Sequence, residues 1–175
     1  MTNERNRAFT LLELLTVIAI IAILATLLMP TMKGIRERLE RTKCLANLRG
    51  LYQATNAYVQ DKGMWPQIPS SLLKKKDHSF DLAWIEALKG YQIDRINWIC
   101  PTLQQQLGNP DYKKEGEERI DYVGMPFDNK KLTPYKWPKQ PWFVERMNSH
   151  GNGQLVMLTD GSVHDLLDLN SKAPK

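Results

Sequence analysis

The chain has 175 residues and a formal net charge of +5. A chain of this length favours a single domain. Apolar residues fill 19 of the first 30 positions, whereas the remainder has the composition of a folded soluble protein. The composition therefore excludes a disordered chain and a protein with several membrane spans.

The first predicted element is an apolar helix over residues 9–29, in which Glu13 is the one ionisable side chain. A helix of this length measures about 31 Å, which is enough to cross a bilayer, so residues 9–30 are predicted to be the transmembrane half of a long N-terminal helix. The preceding residues 1–8 form a short polar leader. A removable signal peptide is the alternative, but the alanines of the run recur at steps of three and the run continues to Pro30.

Glu13 is costly inside an apolar span, by about 2.5 to 3.5 kcal/mol on insertion scales. One interpretation places its carboxylate at the membrane surface. The other requires cleavage before Phe9, so that Glu13 neutralises the new α-amino group of a neighbouring copy. The residues alone leave both interpretations open.

The sequence around Glu13, RAFTLLELL from Arg7 to Leu15, resembles the class III leader junction of type IV pilins and type II secretion pseudopilins. The resemblance implies that a prepilin peptidase cuts between Ala8 and Phe9 and methylates the new amine. It extends to Pro30, where this family usually has a proline that kinks the helix. The family most often has Gly before the cut, and this chain has Ala8.

The charges that flank the apolar run disagree with the topology that this resemblance implies. Two arginines precede the run and five basic residues follow it by residue 43, so the positive-inside rule places the body in the cytoplasm. The resemblance implies the reverse, with the leader in the cytoplasm and an extracytoplasmic head. We expect a single-pass protein of the bacterial inner membrane that later enters an envelope filament.

Apolar residues continue at steps of three and four from Met32 to Val59, which predicts an amphipathic helix over residues 31–60. Its opposite face carries charges of both signs, which is typical of a solvated or subunit-facing surface rather than a nucleic-acid site. Asp61-Lys62-Gly63 is a helix stop. We therefore expect one helix from about Phe9 to Gln60, followed by a small head over residues 61–175.

Turn-forming residues and tryptophans are frequent in the head, and a short helix is predicted from Asp81 to Leu88. Asp160-Gly161 separates the strand-like runs 154–159 and 162–167, which is the strongest short-range signal for a hairpin. The predicted fold class is therefore α+β and pilin-like: one long N-terminal helix, its first half transmembrane, packed on a small antiparallel sheet.

Nine residues separate His150 from Asp160-Gly161. This spacing resembles the H-X9-DG element of a bacterial family associated with prepilin processing. The Cys100-Pro101 pair fits the same family pattern.

The candidate chemistry of the head is limited. Ser149, His150 and Asp160 include the residue types of a hydrolytic triad, but no nucleophile elbow surrounds the serine. The three histidines lack the spacing of metal ligands, and two cysteines cannot form a four-sulfur zinc site. Because major pseudopilins can bind calcium, the resemblance makes acidic residues of the C-terminal loops candidate ligands. They are Asp121, Asp128, Asp160 and Asp165, but no recognisable calcium loop joins them, so turn and surface aspartates are the favoured interpretation.

The two cysteines lie in different parts of the chain, Cys44 on the long helix and Cys100 in the head. In an oxidising compartment they could form a disulfide that stabilises the fold by about 4 kcal/mol on the chain-entropy model. Two buried, unpaired thiols are the alternative.

The resemblance implies a structural subunit of a type II secretion pseudopilus or a type IV pilus-like filament. From the residues themselves we expect no enzymatic activity and no cofactor. Its expected partners are a prepilin peptidase, other pilin-like subunits and the inner-membrane platform of the secretion or pilus machinery. A membrane-anchored protein that binds DNA or glycan is one alternative, and salt-sensitive binding would indicate it. An anchored hydrolase that depends on His150 is the other.

Overall fold

The computed structural model describes residues 10–75, 77–116, 118–151 and 153–171, without the side chains of residues 28–31, 33 and 170. These residues form four α-helices, four β-strands and short 3-10 turns. The helices are α1 (Leu11–Lys62), α2 (Ser79–Leu88), α3 (Pro101–Gln106) and α4 (Leu166–Ser171). The strands are β1 (Tyr122–Gly124), β2 (Pro141–Glu145), β3 (Leu155–Leu158) and β4 (Val163–Asp165).

The chain divides within α1 into two compact units, Met1–Arg38 and Leu39–Lys175. Of the described residues, the first unit contains Thr10 and the first part of α1, and the second contains the rest of α1 and the whole head. Over the residues whose placement is described, no helix is both long enough and apolar enough to cross a membrane. The membrane span over residues 9–30 stays a prediction.

The long helix and its end are confirmed. α1 stops at Lys62, two residues beyond the expected position, and Gly63 follows with a φ of 71°. The Gly63 N–H donates to the carbonyl of Val59 at 3.0 Å, which closes the last turn. Glycine adopts this left-handed conformation without the steric cost that a Cβ would add. The predicted second helix is also confirmed as α2.

The four strands form one antiparallel sheet in the order β1-β2-β3-β4. All four residues of the inner strand β3 are buried. The predicted hairpin around Asp160-Gly161 is confirmed as β3 and β4, but its second strand is shorter than expected. It ends at Asp165, because the following residues, predicted as strand, begin α4.

Aromatic rings fill the core between the second part of α1, α2 and the sheet. Four tryptophans and Phe143 are at most 1% exposed: Trp65, Trp84, Trp98 and Trp142. Trp65 lies edge-to-face against Trp142, with ring centroids 5.0 Å apart, an arrangement that adds to the energy of burial. α1 contributes Tyr52, whose ring centroid is 4.8 Å from that of Trp142. The α+β, pilin-like fold class is confirmed.

Candidate functional site

The start of α1 is held by a reciprocal pair of hydrogen bonds between Thr10 and Glu13. The Thr10 backbone N–H and hydroxyl donate to Glu13 Oε2 at 2.9 and 2.8 Å, and the Glu13 N–H donates to Thr10 Oγ1 at 3.2 Å. This is a capping box, in which each side chain satisfies a backbone donor that the helix leaves free. Ala8 and Phe9, the predicted cleavage and methylation residues, lie outside the described residues.

The part of α1 that follows the cap exposes its apolar side chains on all faces. Each of the eleven large apolar residues from Leu11 to Leu27 is exposed, from 46% at Val17 to 84% at Leu11. A helix that is apolar all round is normally buried in a protein core or in a membrane. Pro30 lies within α1, and its side chain is not among those described.

A second group of chemically active side chains lies inside the head. Cys44 Sγ is 3.0 Å from Cys100 Sγ, and Cys100 Sγ is 3.7 Å from His150 Nε2. His150 Nε2 is in turn 3.4 Å from Glu145 Oε1. The four ligand atoms all lie within 4.8 Å of one another. We call these four residues the Cys-His-Glu cluster.

Four separate segments of the chain position this cluster. Cys44 is on α1, Cys100 is the residue before α3, Glu145 ends β2, and His150 lies in the loop between β2 and β3. The side chains of Cys44, Cys100 and Glu145 are 0% exposed, and that of His150 is 3% exposed. Sequence analysis missed the cluster because no short motif contains its members.

Hydrogen bonds outside the cluster fix two of its members. The Cys100 N–H donates to Asp121 Oδ2 at 2.8 Å. The Leu155 N–H donates to Glu145 Oε2 at 3.2 Å. The other oxygen, Oε1, is buried, has no hydrogen bond, and is the carboxylate oxygen that faces His150.

The cluster attracts positive charge. The hydrogen bond between the two thiols lowers the pKa of Cys44 and raises that of Cys100. Burial lowers the pKa of His150, but its close contacts with Cys100 and Glu145 and their negative charge outweigh burial and raise that pKa to about 9. A buried group of this kind is stabilised by a bound proton or by a cation.

The structure bears on two predictions for these residues. Both cysteines are free thiols, and their sulfurs lie far beyond the covalent S–S length of about 2.05 Å. Their side chains are adjacent, so the disulfide stays a prediction.

The hydrolytic triad is not assembled among the described residues, because His150 Nε2 contacts Glu145 and Cys100 while Asp160 is hydrogen-bonded to Ser162.

The H-X9-DG residues fall into two separate places, at opposite ends of β3. His150 belongs to the cluster, whereas Asp160 and Gly161 form the turn between β3 and β4. Asp160 Oδ1 accepts the Ser162 N–H at 2.9 Å, and Gly161 has a φ of 78°. A Cβ on Gly161 would lie 3.3 Å from the ring of Tyr52. The glycine therefore provides both the turn and room for Tyr52.

The four candidate calcium ligands are each held by the protein itself. Buried Asp121 pairs with Arg119 at 3.1 Å, and Asp165 pairs with Arg41 of α1 at 2.5 Å. Asp128 and Asp160 accept the N–H two residues further on, at 3.0 and 2.9 Å. Over the described part of the chain, no three of these aspartates come close enough to hold one ion. Calcium binding stays the less favoured interpretation of these aspartates.

The long N-terminal helix and the antiparallel sheet make up a pilin-like α+β fold. Residues 4–29 match a family model described as the prokaryotic N-terminal methylation motif. The match contains the Ala8-Phe9 junction and Glu13 and supports a type IV pilin-like substrate of a prepilin peptidase. No curated protein and no solved structure matches the chain. The matched region does not reach His150, so the H-X9-DG resemblance stays a prediction.

Proposed function

We propose that the protein is a structural subunit of a type II secretion pseudopilus or a type IV pilus-like filament. The observation that carries the proposal is the methylation motif over residues 4–29, which joins the predicted cleavage site directly to a capped helix. Before assembly, the apolar start of α1 is held in the inner membrane. After cleavage, copies of the subunit join through the same helix.

The exposed apolar side chains support this proposal. Full burial of a large apolar side chain stabilises by about 1.5 to 3 kcal/mol, and the eleven residues from Leu11 to Leu27 are each about half exposed or more. Covering them is worth on the order of 10 kcal/mol per chain. Lipid buries these side chains before assembly, and neighbouring helices bury them in a filament.

The capping box suits a helix that begins next to a cleavage site. Thr10 and Glu13 lie on the same side of the Ala8-Phe9 bond, so removal of residues 1–8 leaves every hydrogen bond of the box intact. The processed chain therefore keeps an ordered helix start two residues from its new amine. The partners in this scheme are a prepilin peptidase, other pilin-like subunits and an inner-membrane platform.

Intact-mass measurement of protein from cells with an active prepilin peptidase tests the proposal. We expect a chain that begins at Phe9 and carries one methyl group on its amine. The Ala8→Leu variant is the matched control, because a bulky residue before the cut should preserve the leader while the helix is unchanged. Retention of residues 1–8 in the natural chain would contradict the proposal. Absence of the natural chain from sheared fibres would contradict it as well.

A further inference from the structure

The Cys-His-Glu cluster is not explained by a filament subunit, because it lies inside the head and none of its members is on the apolar start of α1. A nucleophilic site is one possible use of a cysteine next to a histidine. However, a substrate could not reach Cys100, which is 0% exposed. The burial instead favours a role in which the four side chains bind an ion inside the fold.

The donor atoms are those that zinc prefers. Zinc binds thiolate sulfur, imidazole nitrogen and carboxylate oxygen, usually with four ligands in a tetrahedron. Calcium and magnesium prefer oxygen ligands alone, so two thiolates argue against both. We propose that Cys44, Cys100, Glu145 and His150 bind one zinc ion as a structural site.

Two of the distances between the ligand atoms agree with this assignment. Around zinc, tetrahedral edges are about 3.6 Å between thiolate and imidazole and about 3.4 Å between imidazole and carboxylate. The corresponding distances are 3.7 Å from Cys100 Sγ to His150 Nε2 and 3.4 Å from His150 Nε2 to Glu145 Oε1. The two sulfurs, 3.0 Å apart, have to separate to about 3.8 Å.

Glu145 gives the second, independent observation. Its side chain is 0% exposed, and its Oε1 lies 3.4 Å from His150 Nε2 without the geometry of a hydrogen bond. An unsatisfied buried carboxylate oxygen is costly. The Leu155 N–H holds Oε2, which aims Oε1 at the position between the other three ligands. A cation bound there removes this cost.

The site also has the supporting contacts that metal ligands usually have. The backbone of Cys100 is fixed by Asp121, and Glu145 is fixed by β3. With four protein ligands, the site has no open coordination position, which is typical of structural rather than catalytic zinc. The ion would join α1, the residue before α3, the end of β2 and the following loop.

Metal analysis of the full chain, purified in detergent without added metal, is the first test. We expect one zinc per chain, and a lower unfolding temperature after chelation that recovers when zinc is returned. Replacement of zinc by Co²⁺ should give thiolate-to-cobalt charge-transfer bands together with the intense visible bands of a tetrahedral site. These measurements use the natural chain and do not depend on any variant folding.

Variants then identify the ligands. We expect His150→Ala to weaken zinc binding by more than the 10–100-fold that loss of a supporting contact costs. His150→Cys should restore a tetrahedral cobalt spectrum by supplying a third thiolate. Glu145→Gln keeps an acceptor for the Leu155 N–H and should weaken binding as well. His164→Ala is the matched control, because His164 contacts Ser162 in the β3-β4 hairpin and should leave binding unchanged.

Three results would overturn the proposal. The first is a metal-free chain whose mass is lower by two hydrogens, which would show a Cys44–Cys100 disulfide in place of a zinc site. The second is a chain with free thiols that gives no tetrahedral cobalt spectrum. The third is zinc that remains bound at full affinity in His150→Ala. Because none of these measurements involves leader processing or filaments, they succeed or fail separately from the proposed function.

Discussion

Glu13 has a structural role that its sequence context did not reveal. Its Oε2 accepts two hydrogen bonds from Thr10, so the carboxylate already caps the helix within its own chain. A cap of this kind contributes about 0.5 to 2 kcal/mol. The pairing between Glu13 and the amine of a neighbouring Phe9 stays a prediction, and any test of it has to separate the charge of Glu13 from its capping hydrogen bonds.

The Glu13→Gln variant makes this separation. Glutamine serves equally in a capping box, so the helix start should persist while the negative charge is lost. If the charge pairs with an amine inside a filament, its removal leaves an uncompensated cation that costs about 3 to 5 kcal/mol. We expect the variant to be cleaved and to stay in the membrane but to be depleted from sheared fibres.

The matched control for Glu13→Gln is Thr10→Val, which removes the capping hydroxyl and retains the charge. We expect Thr10→Val to enter fibres nearly as well as the natural chain. Normal incorporation of Glu13→Gln would reject the amine pair. Equal depletion of both variants would show no effect specific to the charge and would also contradict the amine pair.

Some candidate site residues can be predicted from the sequence, and others cannot. Glu13 was conspicuous because a charge in an apolar run is costly wherever it lies. The members of the Cys-His-Glu cluster come from four segments, and only tertiary packing brings Cys44 and Cys100 to His150. No local pattern carries that information.

The packing of β1 against α2 shows how one small residue sets the distance between two elements. A Cβ built on Gly124 of β1 would lie 2.2 Å from Cζ2 of Trp84 on α2. Trp84 is 1% exposed and is surrounded by other rings, among them Phe143 at a centroid distance of 5.5 Å. Neither the strand nor the ring can move aside at low cost.

The Gly124→Ala variant should therefore be strongly destabilised. Overpacking of a core costs about 1 to 3 kcal/mol and occasionally more, and we expect the upper end of this range. Urea unfolding of the full chain in detergent, followed by tryptophan fluorescence, measures it. Gly90→Ala is the control, because no atom lies within 4 Å of its added Cβ. Equal stability of the two variants would contradict the packing argument.

The elements that the sequence predicted are those with long or distinctive local patterns. The apolar steps of three and four indicated α1, and Asp160-Gly161 between two apolar runs indicated β3 and β4. The sequence did not predict β1 and β2. β1 has three residues and β2 begins with Pro141, so neither offers a clear alternation, and both depend on partners far along the chain.

The two compact units of the chain differ in what stabilises them. The described part of unit Met1–Arg38 exposes its apolar residues, whereas unit Leu39–Lys175 has its own hydrophobic core. To this core α1 contributes Leu48, Leu51 and Val59, each 0% exposed. The second unit therefore has the buried surface that independent folding requires.

We expect a fragment that starts at Leu39 to be soluble and to unfold cooperatively, while the full chain needs detergent. Burial of three large α1 side chains contributes several kcal/mol, at about 1.5 to 3 kcal/mol each. A fragment that starts at Gly63 lacks them and should not fold. Circular dichroism during heating distinguishes the two fragments. Aggregation of the longer fragment would show that the first unit is needed for the core.

The sheet order gives the head two outer strands, β1 and β4, and each has only three residues. The unpaired backbone edge of a long outer strand is a template on which other chains add, as in domain swapping and amyloid. A three-residue strand offers too few free N–H and C=O groups for another chain to pair with it stably. The shortness of the two outer strands therefore makes the head a poor template for irreversible cross-β aggregation.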